Sequence, residues 1–147
     1  MARFDRKQWH SQTEIASEYK RREDMELQKQ IAIENDYLFK KSKSKFFGIS
    51  FGNELINIEV LNSVQAYFEE GESLHHCVHT SKYFLKDNSL VLSARINKKR
   101  IETVEVSLDT FEVVQSRGAF NQSSEFHNTI IELVNRNMNV IGGRMSV

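Results

Sequence analysis

The side chains best suited to chemistry lie together in residues 70–78, a segment that holds the only cysteine of the chain, Cys77. His75, His76 and His79 surround this thiol and are three of the five histidines in the chain. A thiol among imidazoles can be a nucleophile if a nearby cation lowers its pKa, a metal ligand, or a small buried packing residue. The elements that place other side chains around Cys77 therefore decide its role.

The position of the thiol in a predicted helical segment limits which imidazole can activate it. Consecutive side chains on a helix point about 100° apart, so His75, His79 or an arginine from elsewhere is better placed than His76 to contact Cys77. Except for Glu105, the sequence offers no obvious acid to orient such an imidazole. We therefore favour a packing role for Cys77 and keep the nucleophile as the alternative.

A metal site in this region would draw on His75, Cys77, His79 and His127, whose side-chain types zinc accepts. The chain has no second cysteine and lacks the paired spacing that is typical of zinc sites. We therefore expect no metal, and the sequence identifies no other cofactor.

Composition limits the class of protein and its compartment. The chain has 147 residues, 20 basic and 20 acidic side chains, and no proline, so its net charge gives no reason to expect a polyanion partner. A single cysteine excludes an internal disulfide framework and suits a reducing compartment. No apolar run reaches the roughly 18 residues of a membrane span, and the first residues lack the apolar core of a signal peptide. We expect a cytoplasmic protein without a membrane partner.

Residues 1–45 form the first predicted unit, a charged helical arm followed by a basic hinge. Residues 12–42 lack glycine and proline and carry apolar side chains at loose helical spacing, which predicts one long helix with Thr13 as a candidate cap. The apolar stripe does not form clean heptads, so the helix would pack on the following domain, another protein or a second copy. Residues 40–45 are predicted to be a solvated connector, and removal of residues 1–42 should then leave the remainder folded.

Residues 46–141 form the second predicted unit, and residues 142–147 are predicted to be a flexible tail. Alternating apolar side chains and turn residues predict a hairpin and a three-strand meander, with strands at 46–51, 55–61, 90–96, 101–108 and 111–117. Short helices are predicted at 64–70, capped by Asn62 or Ser63 and ended by Gly71, at 81–86, and after a cap at Ser123 or Ser124. This order of elements indicates an α+β fold with an antiparallel sheet, short helices, a C-terminal helix and the N-terminal arm.

Four polar motifs follow one another in this second unit: Glu-Gly-x-x-Leu-x-His-Cys-Val at 70–78, Arg95, Thr-x-Glu at 103–105, and Gln-x-Arg-Gly-x-x-Asn at 115–121. Together they resemble the PcfJ-like family of conjugative plasmids, other mobile genetic elements and phages, over residues 46 to about 140 and without the N-terminal helix. The positions that match the family pattern are His76, Cys77, Tyr83, Arg95, Thr103, Glu105, Gln115, Arg117, Gly118 and Asn121. The resemblance implies a mobile-element context and a shared polar site, and it does not imply a particular reaction.

Strand alternation predicts that these motif residues converge. Thr103 and Glu105 share one face of their strand, and Gln115 and Arg117 share one face of the next. In a meander these faces can meet, with the segment around Cys77 above them. The candidate catalytic residues are His76, Cys77, Glu105 and Arg117, and the candidate substrate-binding residues are Tyr83, Arg95, Gln115 and Asn121.

Two functions fit such a cluster. In the first, an enzyme-like domain acts on a nucleic acid or a nucleotide: Arg95 and Arg117 hold phosphate, Glu105 is a base or contacts a sugar hydroxyl, and Gln115 and Asn121 position a base. In the second, the protein is a non-catalytic accessory or interaction module of DNA transfer or phage biology, with the cluster as a structural polar core. An ion pair of Glu105 with Arg117 or Arg95 would then pin the sheet. The sequence leaves this choice open, and with it whether the protein is an enzyme.

Overall fold

The computed structural model describes residues 6–76 and 81–146, and it contains a long helix, an antiparallel sheet and several short helices. The α-helices are α1 (Arg6–Lys43), α2 (Val64–Leu74), α3 (Ser81–Phe84), α4 (His127–Arg136) and α5 (Met138–Gly143). The strands are β1 (Ser50–Gly52), β2 (Asn57–Val60), β3 (Ser89–Ile96), β4 (Lys99–Ser107) and β5 (Val113–Arg117). Short 3₁₀ turns occupy Ser44–Phe46, Ala119–Asn121 and Arg144–Ser146. The predicted α+β class is confirmed.

All five strands belong to one antiparallel sheet in which the spatial order β1-β2-β3-β4-β5 equals the chain order. The predicted hairpin and meander are therefore neighbouring parts of a single sheet, joined where β2 pairs with β3. The first strand begins at Ser50 and not at residue 46, because Gly48 adopts a φ of 87° that interrupts extended backbone. Antiparallel pairing aligns two rows of side chains across the sheet, Glu59–Ser93–Thr103–Arg117 and Val91–Glu105–Gln115.

The two faces of the sheet differ in chemistry. One face packs against α4 and α5 through an apolar core that includes Ile58, Leu92, Val104, Ile130 and Ile141. The other face carries a smaller apolar core that includes Phe39, Tyr67, Phe84 and Val91, with polar residues beside it. Because a strand alternates its side chains between faces, residues 89–95 and 103–105 supply hydrocarbon to one side and polar groups to the other.

Helix α2 is longer than predicted. Ser63 caps it as expected, since its Oγ accepts a hydrogen bond from the Ala66 amide at 3.0 Å. The helix does not end at Gly71 but continues to Leu74, and His75 closes it in a left-handed conformation with φ 54°. Leu74 is buried, so packing of the additional turn outweighs the glycine signal.

Helix α1 overturns two expectations for the arm. In the described residues it begins at Arg6, so Thr13 lies inside the helix and does not cap it. It runs to Lys43, so residues 40–43 continue the helix, and in this mostly exposed stretch the Lys43 Nζ is buried and donates to the carbonyl oxygens of Lys86 and Asp87 at 2.7 and 3.1 Å. Burial lowers the pKa of Lys43 to about 8. Phe39 meets the Tyr67 ring edge-on at 5.4 Å, so we no longer expect removal of residues 1–42 to be harmless.

The C-terminal helices also differ in detail. Ile130 and Val134 form the predicted apolar face of α4, but neither Ser123 nor Ser124 caps it, because Phe126 holds the N-cap position. Gly142 and Gly143, which were assigned to the tail, lie in α5. The proposed division of the chain at residue 45 stays a prediction.

Candidate functional site

A cavity of about 200 Å³ lies on the polar part of the sheet face that α2 and α3 cover. Its lining combines strand residues with residues from the segments that follow α2 and β5. The lining residues are His76, Tyr83, Val91, Thr103, Glu105, Gln115, Arg117 and Asn121. Six of the eight candidate site residues thus line one pocket, as strand alternation in the β4–β5 pair leads one to expect.

Glu105 forms the inner wall of the pocket and is almost completely buried. Its carboxylate accepts hydrogen bonds from the Ser89 hydroxyl at 2.7 Å, the Gln115 amide at 3.1 Å and the Lys86 ammonium at 3.3 Å. The Gln115 amide also approaches the Tyr83 hydroxyl at 3.5 Å. These donors fix the orientation of the carboxylate, so its oxygens are already positioned to accept a hydrogen bond from a ligand.

Arg117 lies opposite Thr103 at the outer side of the pocket and is exposed. Its Nη1 donates to the Asn121 carbonyl oxygen at 3.3 Å. Among the carboxylates whose side chains the structure describes, none lies within ion-pair distance of this guanidinium, so the expected Arg117–Glu105 pair is not formed. A guanidinium placed in this way can present several donors to an anion.

Behind the pocket lies a buried carboxylate, Glu70 on α2, which begins the motif at 70–78 but is not among the candidate site residues. Its Oε1 accepts from the Ser93 hydroxyl at 2.5 Å and from the Arg100 Nε at 2.7 Å, and its Oε2 accepts from the Thr103 hydroxyl. Burial raises the pKa of Glu70, although the hydrogen bonds from Ser93 and Thr103 and the charges of Arg100 and Arg95 act against that shift. Two signals were available: Glu70 is the first residue of that motif, and it follows the buried Tyr67 by three residues and precedes Leu74 by four.

Glu70 is linked to the pocket through Thr103 and His76. The His76 Nε2 lies 2.8 Å from the Thr103 hydroxyl oxygen. A hydroxyl has one proton, so when Thr103 donates to an ionised Glu70 it accepts from the protonated Nε2 of His76. The chain of hydrogen bonds therefore fixes the imidazole tautomer and its orientation at the pocket wall.

Arg95 does not reach this pocket, which corrects its expected place in the cluster. Its Nη1 pairs with Glu59 at 2.8 Å and its Nε donates to the Ser93 hydroxyl at 2.9 Å. Val91 is the β3 residue opposite Glu105, and Arg95 lies four residues further along the strand, roughly 13 Å away at about 3.3 Å per residue. The alternative Arg95–Glu105 pair is therefore not formed either.

Cys77 and His79 lie outside the described residues, so the role of the thiol stays a prediction. His75 stacks on the Phe120 ring with centroids 4.7 Å apart.

His127 lies on the opposite face of the sheet, where its Nδ1 contacts Glu102 at 2.8 Å. Burial alone would raise the pKa of Glu102, but hydrogen bonds from Ser116, Ser124 and His127 hold it below its usual value. In the described part of the chain, no three His, Cys, Asp or Glu side chains are grouped to hold a metal ion.

The loop after β5 has a constrained backbone. A Cβ atom on Gly118 would lie 2.8 Å from the Gln122 carbonyl oxygen and 3.0 Å from that of Ile101, so close approach of the backbone requires glycine here. Phe120 and Asn121 both adopt positive φ, 55° and 62°. Such conformations cost roughly 1 kcal/mol or more each for non-glycine residues and persist when the surroundings hold them. The surroundings thus fix the backbone conformation at the outer rim of the pocket.

These features define an α+β protein whose five-stranded antiparallel meander carries a partly buried polar pocket. The chain belongs to the PcfJ-like family: the family model described as PcfJ-like protein matches residues 6–131. The match includes α1, so the expectation that the resemblance leaves out the N-terminal helix was wrong. No curated protein and no solved structure matches the chain. None of the helices in the described residues has the length and apolar character of a membrane span.

Proposed function

We propose that this protein is an enzyme-like domain of a mobile genetic element or phage and acts on a nucleotide or a nucleic acid bound in the Glu105–Arg117 pocket. The observation that carries the proposal is that an exposed guanidinium, a buried carboxylate and an oriented imidazole, those of Arg117, Glu105 and His76, line the same cavity. Ion pairing within the pocket does not consume the guanidinium, which favours a ligand over a purely structural network.

The size of the cavity restricts the ligand. A volume of about 200 Å³ is below the roughly 300–1,000 Å³ of sites for drug-sized molecules. It therefore suits one part of a nucleotide, such as a base or a sugar with its phosphate, while the rest of the molecule stays outside. Arg117 would bind the phosphate at the exposed side, and Glu105 with Gln115 would contact a sugar hydroxyl or a base edge further in.

His76 is the proposed general acid or base. Thr103 donates to Glu70 and is hydrogen-bonded to the His76 Nε2, so Glu70 orients the imidazole through Thr103. A proton-transferring group that is oriented by further hydrogen bonds is typical of acid–base sites. Hydrolysis or group transfer at a phosphate would use Arg117 for charge stabilisation and His76 for proton transfer. Glu70 is a positioning residue in this scheme because it acts through Thr103.

The alternative is a non-catalytic accessory or interaction module. One observation favours it: the Glu70 carboxylate is completely buried and has three donors, as in a structural polar core. The two functions differ in what they require of Arg117, since only the first requires it to bind a ligand.

Replacement of Arg117 by alanine should therefore weaken ligand binding without unfolding the protein. We expect inorganic phosphate, mononucleotides or short single-stranded oligonucleotides to bind the full chain in a calorimetric titration. Arg117→Ala should raise the Kd of the bound probe at least about tenfold, because charge-assisted hydrogen bonds contribute roughly 1.5–3 kcal/mol. Arg136→Ala is the matched control, since Arg136 is exposed on α4 and its ion pair in the described residues is with Glu132. Absence of binding by every probe, or equal Kd values for the two variants, would contradict the proposal.

A further inference from the structure

Phe120 is an exposed aromatic residue at the rim of the Glu105–Arg117 pocket. Its exposed fraction is 67%, so burial in the core does not account for a phenylalanine at this position. Its neighbour Asn121 lines the pocket, on the loop that follows β5. The Phe120 ring is therefore a large apolar surface that lies beside the polar site and is mostly open to water.

The backbone at Phe120 is also unfavourable for a phenylalanine. Its φ of 55° and ψ of 34° are left-handed, a conformation that bulky residues rarely adopt and that glycine adopts at little cost. The loop is closed around this residue by a hydrogen bond of 2.7 Å from the Gly118 amide to the Gln122 carbonyl oxygen. A bulky residue that is both strained and exposed beside a pocket is a candidate for contact with a ligand.

His75 supports the Phe120 ring from one side. The two rings are stacked, with an interplanar angle of 2° and centroids 4.7 Å apart. His75 and Phe120 each precede a residue that lines the pocket, His76 and Asn121. The stack covers one face of the Phe120 ring, and the high exposure of this residue leaves the other face open. That open face is flat, apolar and fixed in orientation, which suits it to stack on another planar ring.

The shape of a nucleotide places its base on the outer side of this pocket. The two ribose hydroxyls project from one face of the sugar, and the base and the phosphate-bearing carbon project from the other. The buried carboxylate of Glu105 is an acceptor for such hydroxyls, so a ribose bound to it directs its phosphate and its base outward. Arg117 is exposed on that side for the phosphate, and Phe120 is exposed there for the base. A pocket of about 200 Å³ has room for the sugar and leaves the base outside.

A groove on the other side of His75 limits how far the ligand extends. It has a volume of about 880 Å³ and lies between α1 and the end of α2. Its charged lining residues are Arg21, Arg22 and Lys29, with Asp24, Glu26 and Glu72. Because these cations and carboxylates are equal in number, the groove offers no continuous positive path to a phosphate backbone. The surroundings therefore fit a single nucleotide better than a long strand.

We propose that Phe120 is a base-binding residue and that the ligand of the pocket is a nucleotide whose unpaired base stacks on the open face of this ring. The ribose hydroxyls face Glu105, and Arg117 binds the phosphate. The inference rests on the proposed function, because the base reaches Phe120 only when Arg117 and Glu105 hold the rest of the nucleotide. It adds that the ligand must carry a base, which a sugar phosphate lacks, and that the face of this base must be free, which excludes a base pair inside a duplex.

NMR titrations of the full chain with adenosine 5′-monophosphate and with ribose 5-phosphate test this assignment, because the two probes differ only in the base. Wild type should bind adenosine monophosphate about tenfold more tightly than ribose phosphate, as expected for one stacked base. Phe120→Ala should remove this preference by raising the Kd of adenosine monophosphate about tenfold while leaving the Kd of ribose phosphate unchanged. Phe120→Trp should keep the preference, because it keeps an aromatic face.

Two further readouts separate base binding from a structural role. The adenine protons should shift upfield on binding to wild type, because the ring current of Phe120 shields them, and this shift should be absent in Phe120→Ala. Circular dichroism should be unchanged in that variant because the ring is exposed. Tyr37→Ala is the matched control, since Tyr37 is an aromatic residue of similar exposure, 71%, on α1, and it should leave both Kd values unchanged.

Three results would overturn the inference and leave the proposed function standing. Equal affinity of wild type for the two probes would mean that the base is not bound. A preference that Phe120→Ala leaves intact would place the base elsewhere, and equal weakening of both probes would mean that the ring only holds the loop. If neither probe binds, the proposed function fails and the inference fails with it.

Discussion

Glu70→Ala is expected to lower the free energy of unfolding by about 3–5 kcal/mol, because it breaks a buried charge network by removing one partner. Glu70 is completely buried, and its loss leaves the Ser93 and Thr103 hydroxyls and the Arg100 Nε without their acceptor, while the Arg100 Nη2 keeps its ion pair with Glu69. Urea unfolding of the variant measures the change. Glu132→Ala is the matched control, since the ion pair of that exposed carboxylate in the described residues is with Arg136 four residues on, and its loss should cost about 0.5 kcal/mol or less.

The pH dependence of Glu70→Gln gives the same network a second readout. Because burial raises the pKa of Glu70 in the folded state, folding takes up a proton at this carboxyl when the pH lies between the unfolded and the folded pKa. Its contribution to stability is therefore complete below the ordinary glutamate value and is lost as the pH rises through the folded pKa. The stability of wild type relative to Glu70→Gln should fall over that interval. A constant difference, or an alanine variant within 1 kcal/mol of wild type, would show that Glu70 is not held as described.

Phe39→Ala is expected to destabilise the protein by a similar amount, about 3–5 kcal/mol. The Phe39 ring is completely buried in the core under α2 and α3 and contacts the Tyr67 and Phe47 rings at centroid distances of 5.4 and 5.8 Å. The loss therefore includes the transfer of the ring from water and the cavity that remains. Thermal or urea unfolding measures it, with Leu55→Ala as the control because Leu55 is half exposed in the β1–β2 loop.

The Phe39 variant also decides how the arm relates to the domain. A loss below about 1 kcal/mol would mean that α1 is an appendage, as its sequence suggests. The full loss would mean that the last turns of α1 are part of the core, as the contacts of Phe39 and Lys43 indicate. Deletion of residues 1–42 would then unfold the remainder or leave it only marginally stable.

Local patterns in the sequence were sufficient to predict the sheet and half of the residues that line the pocket. Alternation in β4 and β5 correctly placed Thr103 with Glu105 and Gln115 with Arg117, and antiparallel pairing of adjacent strands then brings these residues together. The His76 side of the pocket followed from the motif at residues 70–78. These predictions succeeded because they need only the side-chain period of a strand and a short connection.

Features that depend on distant contacts could not be predicted in the same way. The distance of Arg95 from the pocket depends on its position along β3 relative to Glu105, which the pairing register sets and strand alternation alone does not. Glu70 resembles a surface glutamate in a short helix until the sheet buries it. The sequence at the end of α1 contains several lysines and does not indicate that one of them is buried. Lys43 is buried because its ammonium donates to the carbonyl groups of residues 86 and 87.

The site therefore has two layers with different tasks. The inner layer is the Glu70 network, which holds Thr103 and His76 and contributes to stability. The outer layer is the pocket itself, with Glu105 and Arg117 at its inner and outer walls. Glu70→Ala is expected to act first on folding and Arg117→Ala on the proposed ligand binding, so the two variants separate the structural role from the proposed function.

An NMR titration of the isotope-labelled full chain with a mononucleotide would show whether the Glu105–Arg117 pocket binds a ligand. We expect saturable shift changes for the Gln115 side-chain amide and for the backbone of residues 117–121, and loss of these changes in Arg117→Ala but not in Arg136→Ala. Saturable changes confined to another surface, or no saturable change with mononucleotides and short single-stranded oligonucleotides alike, would contradict this expectation.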